Sequence, residues 1–75
     1  MDVTDWNDIA VPGIYSGNGE LAKNSPVKSG WLNAIALASN GNNQYMNIIA
    51  YIETGVYIRQ SADGIWGEWC KIDIK

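Results

Sequence analysis

Arg59, Trp66 and Trp69 are the residues of this chain with the most chemistry to offer. A guanidinium set mid-strand among apolar neighbours must find a carboxylate, carbonyl oxygens or a ring face, because an unpaired buried charge is costly. Trp66 and Trp69, three positions apart around Gly67, supply two such faces. An indole is also a broad apolar plate with one donor at its rim, which a sugar ring or a partner chain can stack on. Clamp and stacking surface compete for the same rings. Along one extended strand, residues i and i+3 point to opposite faces. That spacing assigns Trp69 to the interior and leaves Trp66 partly exposed. Arg59 then stacks on one of the two rings or pairs with Glu68 or Glu53. If a sugar ring is what stacks there, the expected contact set is Trp66, with Tyr57, Arg59, Asp63 and Asn42 supplying polar contacts. Trp69, Trp31 and Trp6 are expected to be structural.

Other chemical patterns are weaker. Glu53, Asp63 and Glu68 all fall near the end of the chain, and glycoside cleavage needs two carboxylates at a set separation across a groove. A chain this short has little material for a groove, so these acids read as turn and solvent-face residues. Gly17-Asn18-Gly19-Glu20-Leu21-Ala22 matches a dinucleotide fingerprint in letters, but Pro26 follows where the fingerprint requires a helix. Ser25-Pro26-Val27-Lys28 matches a serine acyl-enzyme motif without its partner motifs. Asp2, Asp5 and Asp8 lack the spacing of a calcium loop. With no His and one Cys, no usual zinc set can form, and neither a metal nor a cofactor is expected.

At 75 residues the chain is one domain, residues 1–75, and a small one. Burial and chain entropy nearly cancel at this size, so small domains add disulfides, metals or partner chains. The lone Cys70 rules out an internal disulfide, which leaves association with other chains. Cys70 itself reads as a small apolar residue buried in a strand, in a protein assembled in a reducing cytoplasm. A net charge of −3 with five scattered basic residues argues against nucleic acid and anionic membranes. No apolar stretch reaches membrane length and no charged segment leads an apolar run, so a soluble chain without an export signal is expected. Four Trp, four Tyr and no Phe mean that every aromatic ring carries a polar group, as suits a surface that meets a wet partner.

The elements that must position these residues read as mostly β, or small α+β. Thr4 to Ala10 predicts a short helical turn, halted by Pro12-Gly13. Strands are expected at Gly13–Ser16, Trp31–Ser39, Tyr45–Glu53, Val56–Ser61 and Cys70–Ile74, an antiparallel meander of about five strands. Residues 17–30 form a long loop, and a loop that long in so small a domain is either functional or packed at an interface. With Thr54-Gly55 as one turn and Asn40–Asn43 as another, Tyr51 faces Ile58, Ile35 faces Ile48 and Leu37 faces Met46. One face then carries Ile35, Leu37, Met46 and Ile48. The other carries Ala34, Ala36, Ala38, Tyr45, Ile49 and Tyr51, and is covered by the N-terminal segment or by another subunit. A slip of one residue exchanges the faces.

Five pieces in order carry a family resemblance: Asp5–Ile9, Pro12-Gly13-Ile14-Tyr15, Asn24-Ser25-Pro26, Gly55-Val56-Tyr57-Ile58-Arg59-Gln60, and Gly64-Ile65-Trp66-Gly67-Glu68-Trp69-Cys70-Lys71-Ile72. Together they resemble the knob domain of R-type pyocin fibres and bacteriophage tail fibres. Ser25 stands where that family usually has Ala, and Ile14 where an aromatic is common. The resemblance implies a small β module of a homotrimeric tail fibre on a virion or phage-like particle, assembled in the bacterial cytoplasm. It further implies a non-enzymatic part in attachment to a bacterial surface glycan or other envelope component. It transfers no catalytic or binding residues. Two other classes stay open: a purely structural trimerisation or spacer module, and an accessory carbohydrate-binding domain of a larger glycan-degrading enzyme.

Overall fold

Largely apolar runs between Trp31 and Ile58 build the centre of a sheet, and burial alternates along Trp31–Ser39 as a period of two requires. A computed structural model describes residues 2–72. In chain order the strands are β1 (Asp2–Val3), β2 (Gly13–Asn18), β3 (Trp31–Ser39), β4 (Asn42–Ile52), β5 (Gly55–Ala62), β6 (Ile65–Trp66) and β7 (Cys70–Ile72). One 3-10 turn spans Trp6–Asp8, capped by Asp5, whose carboxylate accepts from the Asn7 amide at 2.9 Å. The order across the sheet is β1-β2-β3-β4-β5-β6, and β7 also pairs with β5. β2 to β6 form the antiparallel meander, while β1 runs parallel to β2. The fold is mostly β with a short helical turn near the N-terminus. β1 and β6 are additional to the expected strands; at two residues each they are too short to show a period. Residues 73 and 74 of the expected last strand lie outside the described residues.

The register differs from the expected one at both central hairpins. Glu53-Thr54, not Thr54-Gly55, is the β4–β5 loop, so Ile52 faces Gly55 and Ile48 faces Arg59. This moves the pairing by two residues and leaves the faces unchanged. Between β3 and β4 the shift is odd. Asn40 and Gly41 both have positive φ (51° and 72°), the conformation of a two-residue hairpin turn, and they pair Ser39 with Asn42. A bulge then sets Ala38 opposite Met46, Ala36 opposite Ile48 and Ile35 opposite Ile49. β3 therefore turns over relative to the expectation, and its alanines face inward.

The inward alanines have a packing reason. Trp6 is fully buried against this face with Leu32, Ala34, Ala36, Met46, Ile48 and Ala50. A Cβ on Gly17 would come within 2.9 Å of the Trp6 ring, so β2 must carry Gly where the indole crosses it. Tyr15 closes the rim by donating to the Val11 carbonyl at 2.6 Å. The N-terminal segment is tied to the long loop by Trp6 N–H to Lys23 O and Lys23 N–H to Thr4 O, both at 2.9 Å. The loop, residues 19–30, thus packs within the chain and helps roof the inner face.

The opposite face has no such roof among the described residues. Ile14, Trp31, Ile35, Leu37, Tyr45, Ile49, Tyr51 and Ile72 are all exposed there. Trp31, expected to be structural, is 57% exposed, because β3 buries its even-numbered positions. Cys70, expected to be buried, is exposed beside Ile58. Across β2, β3, β4, β5 and β7 this face holds no charged side chain. Charge begins at the rim, where Asp2 accepts from the Ser16 hydroxyl at 3.4 Å.

Candidate functional site

β5 is paired twice on its outer edge: Ser61 and Ala62 with β6, and Val56 to Ile58 with β7. Arg59 and Gln60 lie between these pairings, where residues 67–69 leave strand geometry and arch across the gap. Two bonds hold the arch. Gly67 N–H donates to Gln60 O at 2.9 Å, and Arg59 Nε donates to Gly67 O at 2.7 Å. Because Trp66 ends β6 before the arch and Trp69 is the arch's last residue, strict alternation does not apply. Both rings reach the same guanidinium, each with its centroid 5.2 Å from Arg59 Cζ. Trp66 is partly exposed as expected, but Trp69 is half-buried rather than interior, and both rings lie over one cation.

Arg59 is 7% exposed and its remaining bonds go to neutral oxygens: Asn7 Oδ1 at 2.6 Å and, at a long 3.4 Å, Trp6 O. Burial pushes its pKa down from the ordinary value, with the Asp5 carboxylate acting in the opposite direction. A guanidinium remains a cation under such a shift. Of the two expected arrangements, ring stacking is the one seen, and three acceptor oxygens stand in place of Glu53 or Glu68.

The second ring is fixed from the other side. Trp69 Nε1 donates to Asn24 O at 2.8 Å, and its ring meets Trp6 edge-on with centroids 5.8 Å apart. Asn24 has φ of 58° and its side chain donates to Asp5 Oδ1 at 2.8 Å. That bond, with the Asn7 amide, holds the Asp5 carboxyl below its ordinary pKa. Asn7, Asn24 and Gly67 were absent from the expected site, yet they hold its rings. The sequence signal for Asn24 was its place before Ser25-Pro26, where an Asn tolerates a left-handed backbone.

Trp66 is half-buried and lines two shallow depressions. One, of about 640 Å³, runs between β6 and β7 past Ile58, Gln60, Ile65 and Cys70. The other, of about 380 Å³, is bordered by Asn24, Ser25, Glu68 and Trp69. Of the other expected contact residues, Arg59 meets this ring, whereas Tyr57, Asn42 and Asp63 do not converge on it. Tyr57 is partly buried against the core, roughly 13 Å along β5 from the Ser61 that pairs with Trp66. Asn42 accepts from the Gln44 amide at 3.0 Å inside its own turn. Asp63 accepts from the Tyr45 hydroxyl at 2.5 Å, which raises the tyrosine pKa. Glu53 and Asp63 flank opposite ends of β5, roughly 25 Å apart. Glycosidase carboxylates stand within about 10 Å of each other, so these two do not form such a pair.

Comparison with protein-family models, curated proteins and solved structures finds no match to this chain.

Proposed function

We propose that this domain is a non-catalytic module of a phage or prophage tail fibre, homotrimeric in its parent, that contributes to attachment by contacting a bacterial surface glycan. The observation that supports the reading is the mounting of Trp66. Arg59, buried and bonded to the arch, fixes one side of the indole, and the ring still borders two open depressions. A pre-ordered ring loses little entropy when a sugar stacks on it. The polar contacts then come from Asn24, Ser25 and Glu68 beside the ring, in place of Tyr57, Asn42 and Asp63. A single shallow site binds weakly, and three copies on one fibre gain by avidity. The test is a glycan-array screen of the chain in trimeric form, beside a Trp66→Ala variant of matched secondary structure. Glycan-specific signal that disappears in the variant supports the reading. Signal that survives the substitution removes Trp66 from the site, and a blank array removes the glycan.

A further inference from the structure

We propose that the uncharged outer face of the sheet is the surface on which a second copy of this chain packs, sheet against sheet. This goes beyond the reading above: an isologous face joins two chains, whereas a trimer closes through head-to-tail contacts, so the trimer and the glycan contact at Trp66 stand or fall separately. The eight large side chains on this face are 40–73% exposed. A side chain of that size fully open presents on the order of 200 Å², so the patch is on the order of 800 Å². The largest patch of an ordinary monomer is about 300–600 Å², whereas each partner in a stable complex contributes about 800 Å². The area matches one side of an interface.

Charge selects the occupant. Ile35 and Ile49 lie directly opposite each other at the centre, Leu37 lies beside them, and charge appears at the rim, at Asp2 and at the Asp63 that holds the Tyr45 hydroxyl. An apolar centre inside a polar rim is the layout of a buried interface. A charged partner finds no counter-charge here, while an identical face meets this one without repulsion. An isologous contact requires that self-complementarity. Twisted sheets pack in this way at about 10 Å separation, with side chains of the two faces interleaved.

The test is sedimentation equilibrium of the 75-residue chain over a micromolar range, with far-UV circular dichroism as the folding control. Ile49→Lys and Leu37→Lys place a charge on the face; Val11→Lys places one on an exposed apolar residue outside it. The expected result is an assembled wild type and an assembled Val11→Lys, with both face variants folded and associating at least about tenfold more weakly. If Ile49→Lys and Leu37→Lys lose their strand signal, Leu37→Asn is measured against the same outcomes. A wild type that assembles while the face variants assemble equally well overturns the face alone. A monomeric wild type overturns the face, and so does one that stops at three copies, because an isologous contact closes at two.

Discussion

Arg59 donates a 2.7 Å hydrogen bond to the carbonyl of Gly67, and that bond joins the last full strand of the sheet to the arch that follows it. The arch brings both Trp66 and Trp69 over one cation. Arg59 is thus the point where β5, the N-terminal turn and the C-terminal rings meet, and its loss should be felt throughout the molecule.

Arg59→Ala removes three hydrogen bonds and two ring contacts and leaves the Gly67 and Asn7 oxygens without their donor. The expected cost is about 3 kcal/mol. For a domain of this size that lowers the melting temperature by roughly 10–20 °C. Arg59→Lys should recover only part of it, because an ammonium lacks the planar fork. Thermal denaturation checks both, and a full rescue by Lys would contradict a role for the forked hydrogen bonds.

Gly17→Ala drives a methyl group into the Trp6 ring, which has no room to retreat in a fully buried site. Overpacking of this kind costs about 1–3 kcal/mol. Gly41 has open space around it, so the cost of Gly41→Ala is confined to the left-handed backbone, roughly 1 kcal/mol. Denaturant titrations of the two variants should rank Gly17→Ala as the more damaging. The reverse order would place Trp6 elsewhere.

Asp5 has its folded pKa below the ordinary 3.8, owing first to the Asn24 side chain and then to the Asn7 amide. A depressed carboxyl adds stability that is present above the unfolded pKa and is lost as pH falls through the folded one. Asp5→Asn keeps an acceptor at the cap but has no charge to titrate. Wild type should therefore exceed Asp5→Asn in stability at neutral pH, and the gap should close as pH falls below about 4. A gap independent of pH would remove the charge from the account.

Tyr45 has its folded pKa raised above 10.0 by the Asp63 carboxylate. The stabilisation is present below the unfolded pKa and fades as pH rises through the folded one. Ultraviolet titration should show one tyrosine ionising late, and Asp63→Asn should bring it earlier. A titration unchanged by that substitution would mean the bond is absent in solution.

The fold could be read from the sequence where the signals were long and periodic. Trp31–Ser39 was bounded correctly at both ends because a largely apolar run is closed off by Gly30 and Asn40-Gly41. The register could not be read, since Asn40-Gly41 and Asn42-Asn43 compete for one turn and the bulge after Asn42 leaves no mark in the pattern. That one odd shift misassigned the faces and hid the exposure of Trp31. At the site, the sequence pointed to Arg59, Trp66 and Trp69 as a unit. It missed the arch, because alternation was carried through Gly67 where the chain leaves the strand. Asn7 and Asn24 stayed hidden since their contacts join positions 45 or more residues apart.

The central claim is that a glycan ring stacks on Trp66. It is tested most directly by following ¹H–¹⁵N correlation spectra of the folded chain as purified bacterial surface polysaccharides are added. The account predicts concentration-dependent shifts of the Trp66 indole N–H and of the Ser25, Gly67 and Glu68 amides, with the outer-face amides of β3 and β4 unmoved. Shifts that skip Trp66 and gather elsewhere, or spectra unchanged by every polysaccharide tried, would contradict it.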